Sequence, residues 1–307
     1  MLDGQERHGQ TGARTGVPTP GVRTGLATLD RRAAARYVLG RRTPDGGYCF
    51  YRTPGWGVEE PNTPDTLAAL ASLLLLGVEP PQPAVTGRWL QGVQDDGGGY
   101  PGLTIGWAAL RALQLLGLSP CRSPHAWLAG WAQRLLGGRR ATPQDLRASL
   151  DNVLRLAELL ELDTGQRAGV ADLLVAAAAP QGGWARPGAD VETTAVAMQL
   201  ARHAGITPPD LDGVVAFLRG CEDAAVGVRL CPDTQLTTVG ALWGGLDLAA
   251  ALGALPRYPA AIAESLALLQ HPDGGLGARH WAVATLHDTW RGLRAARLLD
   301  GLQEQPS

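Results

Sequence analysis

The chain alternates between two kinds of helical stretch, joined by short glycine-rich segments. Residues 67–76 and 108–116 are rich in Ala and Leu all round, which is typical of buried helices. Residues 87–91 and 264–266 belong to stretches that carry polar positions, so we expect these helices to face water on one side. Alternation of β-branched residues never lasts beyond a few positions. The pattern therefore predicts an all-α protein.

The two stretches recur as a repeat. Short glycine-rich loops, which we call glycine knots, precede most of the apolar stretches. They span residues 45–48, 96–100, 181–184, 225–228 and 273–276. Aligned hexamers open the apolar stretches, and they begin at Asp65, Ile105, Ser149, Thr193, Thr237 and Asp288. A spacing of about 44 residues is typical of helical repeat units. We expect four glycines to end apolar helices in a left-handed conformation. They are Gly77, Gly117, Gly205 and Gly253.

Six helical hairpins can stack as an open solenoid or close on themselves. An open solenoid needs polar units at its ends, and here the first and last units are as apolar as the middle ones. We therefore predict a single (α/α)6 toroid over residues 25–302, with six inner helices, six outer helices and a central cavity. Residues 1–24 are polar and rich in Gly, Thr and Arg, and we expect them to form a disordered tail.

Composition excludes several function classes. The net charge is −2, with 27 basic and 29 acidic residues, which argues against a general nucleic-acid binder. All the basic residues are arginine, so lysine Schiff-base chemistry and P-loop phosphate binding are excluded. The four cysteines form no CxxC pair, no apolar run is long enough for a membrane span, and residues 1–24 lack the apolar region of a secretory signal. These features predict a cytoplasmic protein.

The knots resemble a known repeat. Trp89-Leu90, Gln94 and Gly98-Gly99-Tyr100 resemble the QW repeat of squalene and triterpene cyclases, and partial copies end at Tyr48, Trp184 and Leu276. The looser form, two glycines followed by a Thr-containing inner helix, looks like the protein prenyltransferase β-subunit. Both families share the α/α toroid. The resemblance implies that the Gln ties a helix end to the next loop and that Tyr48, Tyr100 and Trp184 belong to the scaffold.

One segment resembles a catalytic motif. Residues 190–195, Asp-Val-Glu-Thr-Thr-Ala, are similar to the DxDDTA motif of class II terpene cyclases. The resemblance implies that Glu192 protonates an alkene or epoxide, assisted by Asp190 and Thr194. Such an acid must be kept protonated and away from water. Ordinary helix chemistry also explains the segment, with Asp190 as N-cap and Glu192 as a first-turn acid. Both interpretations stay open.

Four tryptophans lie at or near the starts of inner helices, namely Trp56, Trp107, Trp243 and Trp290. Aromatic faces stabilise cations, so these rings are candidates for the wall of a substrate cavity, although core packing explains them equally well. Asp65 and Arg291 are further candidates at the mouth of this cavity. The leading hypothesis is a class II-like terpenoid cyclase or isomerase that needs no cofactor and acts on a hydrophobic isoprenoid.

Two alternatives remain. A prenyltransferase-like enzyme would bind a prenyl diphosphate through arginines and His280, and zinc or magnesium through Cys231, Asp233 and His287. The basic residues in question are Arg229, Arg279, Arg291 and Arg294. The other alternative is a non-catalytic toroid that carries a lipid or binds a partner chain. In each case a partner subunit or a second copy could complete the site, and transient membrane association is conceivable; no nucleic-acid partner is expected.

Overall fold

The computed structural model describes residues 25–50, 52–53, 58–137, 146–184, 188–208 and 210–304. The tail expected over residues 1–24 and the candidate cavity residue Trp56 lie outside these ranges. The described chain is mostly helical, as the sequence predicts.

Twelve α-helices follow a short 3₁₀ helix at Gly25–Thr28 in the described ranges. They are α1 (Arg31–Leu39), α2 (Thr63–Leu76), α3 (Pro83–Gln91), α4 (Leu103–Leu115), α5 (His125–Leu136), α6 (Leu146–Ala157), α7 (Thr164–Ala177), α8 (Val191–Ala204), α9 (Leu211–Cys221), α10 (Val239–Ala251), α11 (Pro259–Leu269) and α12 (Leu286–Gln303).

Three antiparallel pairs of two-residue strands lie in loops that precede even-numbered helices. They are β1 (Arg52–Thr53) with β2 (Val58–Glu59), β3 (Glu222–Asp223) with β4 (Gly227–Val228), and β5 (Leu276–Gly277) with β6 (Ala284–Thr285).

The even-numbered helices form the centre of the packing. Burial covers nearly every position of α8 and α10, whereas α3 and α5 keep exposed positions along their length. Each even-numbered helix packs against the next one in the chain, from α2 through α4, α6, α8 and α10 to α12, and α12 also packs against α2. The helices that are apolar all round are therefore the buried ones.

The joint between the last and first hairpins matches a joint inside the chain. Gln94 accepts a hydrogen bond from the amide of Arg122 (2.9 Å) and donates to the carbonyls of Arg122 (2.9 Å) and Gly98 (3.0 Å). Gln270 accepts from the amide of Asp30 (2.8 Å) and donates to the carbonyls of Asp30 (3.1 Å) and Gly274 (3.0 Å). The glutamine tie that the QW resemblance implies is thus present twice. One tie joins neighbouring hairpins, and the other joins the last hairpin to the first.

The glycine knots at these two joints also make equivalent close contacts with the following hairpin. Gly98 has a φ of 84°, and a Cβ there would lie 2.5 Å from the carbonyl oxygen of Ser123, just before the next odd-numbered helix. Gly274 has a φ of 97°, and a Cβ there would overlap the backbone of Ala33 in α1. Only glycine combines this backbone conformation with such a close approach.

The predicted helix ends are confirmed. Gly77, Gly117, Gly205 and Gly253 all have left-handed conformations, with φ between 62° and 70°. Tyr48, Tyr100 and Trp184 are buried, as expected of scaffold residues. The fifth hexamer, which begins at Thr237, is misaligned. The other hexamers begin inside their helices, whereas Thr237 precedes Thr238, the N-cap of α10.

Candidate functional site

Asp190 acts as the N-cap of α8. One carboxylate oxygen accepts a hydrogen bond from the amide of Thr193 at 2.8 Å, and the other accepts from the hydroxyl of Thr193 at 2.7 Å. Arg147 of α6 lies 4.0 Å from the second oxygen. The capping interpretation of Asp190 therefore holds, and the residue also contributes negative charge beside Glu192.

Glu192 lies where four even-numbered helices meet. From the first turn of α8, its Oε1 accepts a hydrogen bond from the hydroxyl of Thr238 at the start of α10 (3.0 Å). Its Oε2 lies 3.3 Å from Arg291 of α12 and 3.6 Å from Arg147 of α6. The side chain is only 15% exposed. These partners are those of an ion-paired carboxylate.

Gly240 makes room for this carboxylate. A Cβ at Gly240 would overlap the carboxylate oxygens of Glu192. Gly240 lies in α10 near Thr238, so this one turn supplies both a hydroxyl partner and the space for the acid. The role of Gly240 could not be predicted from the sequence, because the approach of α8 to α10 is a tertiary contact that the sequence pattern does not specify.

A small cleft opens beside Glu192. Its lining residues come from α6, α8 and α12, and they are Arg147, Asp151, Glu192, Thr193, Val196 and Arg291. The cavity volume is about 20 Å³, enough for about one water molecule. A prenyl chain therefore needs movement of side chains before it fits here. Arg147, whose side chain is 60% exposed, is the most accessible of them.

Thr194 does not belong to this cleft, and the role expected for it as an assistant to Glu192 is wrong. Its hydroxyl accepts a hydrogen bond from the amide of Trp184 (3.0 Å) and donates to the carbonyl of Asp190 (2.7 Å). Thr66 and Thr289 make the same pair of bonds at the starts of α2 and α12. All three side chains are fully buried, so Thr194 holds a knot against a helix.

Asp65 also has local partners. Its Oδ2 accepts hydrogen bonds from the amide of Phe50 (3.0 Å) and the side-chain amide of Asn62 (2.8 Å). These bonds tie the preceding loop to the start of α2. They give Asp65 a structural role at the helix start that does not require a substrate.

Three of the candidate tryptophans occupy equivalent positions. The N-caps of α4, α10 and α12 are Gly102, Thr238 and Thr285. Trp107, Trp243 and Trp290 each lie five residues after their cap. The corrected alignment of the fifth unit brings Trp243 into the same register as the other two, so all three belong to one level of the repeat.

Arginines cover these indole rings. The guanidinium carbon of Arg291 lies 5.3 Å from the Trp243 ring centroid, and that of Arg294 lies 5.2 Å from Trp243 and 5.6 Å from Trp290. Arg155 of α6 lies 5.6 Å from Trp107. We call these residues the aromatic–arginine cluster; its members are Trp107, Trp243, Trp290, Arg155, Arg291 and Arg294. An apolar lining was expected here, and charged groups share it.

Acidic side chains balance the cluster. Glu158 accepts a 2.6 Å hydrogen bond from the indole nitrogen of Trp107. Asp247 of α10, buried among apolar neighbours, lies 3.8 Å from Arg294 and 3.9 Å from Arg202, and it accepts a 2.9 Å bond from Gln199. Asp247 is the one acid in an otherwise apolar helix, a sequence signal that could have marked it.

Desolvation shifts the pKa of several groups in and beside the cluster. His287 keeps contact with solvent, but the protein groups crowded around it desolvate the ring and, together with the charges of Arg291 and Arg155, lower the pKa of His287 to about 4. Burial raises the pKa of Asp288 and lowers that of Arg294. Arg155 of α6 acts on His287 of α12, so charges from helices that are not consecutive in the packing order meet at this cluster.

The metal-binding alternative is not assembled. Cys231 and Asp233 lie near Asp190 and Arg229, whereas His287 lies near Arg291 and Arg155. Within the described ranges, no group of three or more His, Cys, Asp or Glu side chains is placed to hold a metal ion. The set of Cys231, Asp233 and His287 is therefore wrong as a metal site.

The five-residue basic pocket suggested for a diphosphate is also not formed as a unit. Arg229 donates to the carbonyl of Gly220 (2.9 Å) and lies 3.8 Å from Asp223. His280 contacts the carbonyl of Leu268. Only Arg291 and Arg294 of this set belong to the aromatic–arginine cluster. Arg147 and Arg155, which the sequence analysis missed, take the other basic positions around the site.

The comparisons with known proteins assign no family. A scan against models of protein families gave no match, and a search among curated proteins gave no significant match. None of the helices in the described ranges is long and apolar enough to cross a membrane.

Proposed function

We propose that the chain is a closed (α/α)6 toroid that acts on an isoprenoid by acid-initiated chemistry, as class II terpenoid cyclases do. Closure is supported by the packing of α12 on α2 and by Gln270, which repeats between the ends of the chain the bonds that Gln94 makes within it. The proposed toroid places the even-numbered helices inside and their first turns at one mouth.

The position of Glu192 carries the functional proposal. It is the acid that the motif resemblance selects, and it lines the cleft where α6, α8, α10 and α12 meet. In the proposed reaction Glu192 gives its proton to an alkene carbon of the substrate. A C–H bond forms, the π bond breaks, and a carbocation and a carboxylate result.

The arginines fit the state that follows proton transfer. Arg147 and Arg291 pair with the ionised carboxylate of Glu192, so they stabilise the product of the acid step. Before that step a substrate must displace them, because an acid that is to donate a proton cannot remain bound to two guanidinium groups. Displacement of these side chains would also widen the cleft, whose volume is about 20 Å³ in this structure.

A second candidate function follows from the number of arginines. Arg147, Arg155, Arg291 and Arg294 surround the site, and guanidinium groups bind phosphate oxygens in a bidentate manner. A prenyltransferase-like enzyme would use them to hold a diphosphate. In the structure Arg147 and Arg291 pair with Glu192 and Arg294 lies beside Asp247, so a diphosphate would have to take these arginines from their carboxylate partners.

The test compares Glu192→Gln with Glu161→Gln, a control at an exposed glutamate. Both variants and the wild type are incubated with linear polyprenes and with prenyl diphosphates, and products are identified by mass spectrometry. We expect wild type and Glu161→Gln to form cyclised or isomerised products and Glu192→Gln to lose at least a hundredfold in rate. Release of diphosphate with an intact Glu192→Gln activity would favour the transferase. Lipid binding without turnover by wild type would favour a carrier.

A further inference from the structure

The Trp243 and Trp290 rings form a cation site that the chain fills with its own side chain. The guanidinium carbon of Arg294 lies near both rings, 5.2 Å from the Trp243 centroid and 5.6 Å from the Trp290 centroid. Cation–π attraction at this range is strongest for indole rings in a partly dehydrated place. Trp243 is only 5% exposed, whereas the side chain of Arg294 is 35% exposed, so one ring is covered and the site can be reached from solvent.

Few contacts fix the position of the Arg294 guanidinium. In the part of the chain that the structure describes, no hydrogen bond fixes its guanidinium; its partners are the two rings and the carboxylate of Asp247 at 3.8 Å. An arginine has five N–H donors, and a structural arginine uses several of them, as Arg219 does with Glu222 and a backbone carbonyl. Arg294 contributes its charge and its flat face.

Asp247 supplies the fixed countercharge. It is 6% exposed, and the amide of Gln199 orients it by a 2.9 Å hydrogen bond. Arg202 lies 3.9 Å from its other side and touches neither tryptophan ring in the described contacts. Without Arg294, one side of the buried carboxylate of Asp247 and the ring of Trp290 would lose their cation, while Arg291 would remain 5.3 Å from the Trp243 ring. The indole nitrogen of Trp243 is also buried with no hydrogen-bond partner among the described residues.

We infer that Trp243, Trp290 and Asp247 form a binding site for a soft organic cation, such as a quaternary ammonium group, and that Arg294 occupies this site in the resting protein. A quaternary ammonium has no N–H donors and is weakly hydrated, so it suits a site that offers ring faces and a carboxylate at van der Waals range. The inference concerns binding alone and holds whether or not Glu192 donates a proton.

The experiment uses choline and its neutral isostere 3,3-dimethylbutan-1-ol. Titrations of tryptophan fluorescence and calorimetry are carried out on wild type, on Arg294→Met and on Arg202→Met. Met keeps most of the apolar stem and removes the charge, and Arg202 is the matched control because it pairs with Asp247 without covering a ring. We expect Arg294→Met to bind choline at least tenfold more tightly than wild type or Arg202→Met, and to prefer choline to the alcohol.

Two results would overturn the inference. One is a folded Arg294→Met protein that binds choline no better than Arg202→Met does. The other is equal binding of choline and the alcohol by Arg294→Met, which would show an apolar cavity with no preference for a cation. If Arg294→Met does not fold, Arg294→Gln provides the same comparison with a polar side chain of similar length. Loss of turnover in Glu192→Gln, or its absence in wild type, leaves these outcomes unchanged, so the two proposals fail separately.

Discussion

Replacing Gln270 tests whether the last and first hairpins are joined in the same way as neighbouring hairpins inside the chain. Gln270 makes three hydrogen bonds, one of them within its own knot and two to Asp30. Gln94 makes the same three bonds between neighbouring hairpins. If the toroid is closed in solution, Gln270→Ala and Gln94→Ala should destabilise the protein to a similar degree.

The magnitude follows from the bonds lost. A hydrogen bond contributes about 0.5–1.5 kcal/mol net, and exposed partners recover part of this from water. The bonds to Asp30 and Arg122 are exposed, so we expect about 1–2 kcal/mol for each variant. Gln91 donates one exposed bond, to the carbonyl of Ser119, and Gln91→Ala should cost less than either.

Urea and thermal unfolding measure the effect, followed by far-UV circular dichroism. A loss of about 1–2 kcal/mol corresponds to a fall in Tm of about 2–8 °C for a domain of this order of size. A Gln270→Ala protein as stable as wild type, beside a destabilised Gln94→Ala protein, would mean that the first and last hairpins are not held together by this joint. The proposal of a closed toroid would then lose its main support.

Two further predictions concern glycine and histidine. Gly274→Ala should destabilise the protein by several kcal/mol more than Gly77→Ala in urea titrations, because a Cβ at Gly274 meets the backbone of Ala33 whereas one at Gly77 meets nothing within 4 Å; equal losses would contradict the packing. Gly77→Ala should cost about 1–2 kcal/mol for its left-handed conformation. The pKa of His287 is lowered to about 4, so as the pH drops His287 takes up a proton in the unfolded chain before it does so in the folded protein. The free energy of unfolding therefore falls as the pH drops from about 6.5 towards 4. His287→Gln should flatten this fall in unfolding free energy measured at pH 7 and pH 5, and an unchanged slope would refute it.

The fold could be predicted in part because its signals are local. A helix that is apolar on every side has to be buried, and Gly77 ends its helix by a backbone conformation that its neighbours cannot adopt. The tie made by Gln94 could be predicted only from the resemblance to the QW repeat, because its partner Arg122 lies 28 positions away. The register of α10 could not be predicted, since Thr237-Thr238 looks like the Thr193-Thr194 pair inside α8, whereas Thr238 is the N-cap of α10.

The site was harder to predict because its contacts are distant in sequence. Arg291 reaches Glu192 across 99 positions, and no pattern in either segment specifies this pairing. The motif pointed to the first turn of α8, where Glu192 lines a cleft, but Thr194 has the scaffold role of Thr66 and Thr289. A residue at a repeated position performs the repeated task, whereas Arg147, Arg155 and Asp247 occupy positions that differ between units.

The contact between the two ends of the described chain has a consequence for engineering. The amide of Leu26 donates a 3.1 Å hydrogen bond to Asp300 of α12, so a short linker could join residue 304 to residue 25. New termini could then be opened in a surface loop between two hairpins, since cuts at exposed loops are the ones that folded domains tolerate. Circular permutants of this chain should retain the native arrangement, with any of several hairpins serving as the first.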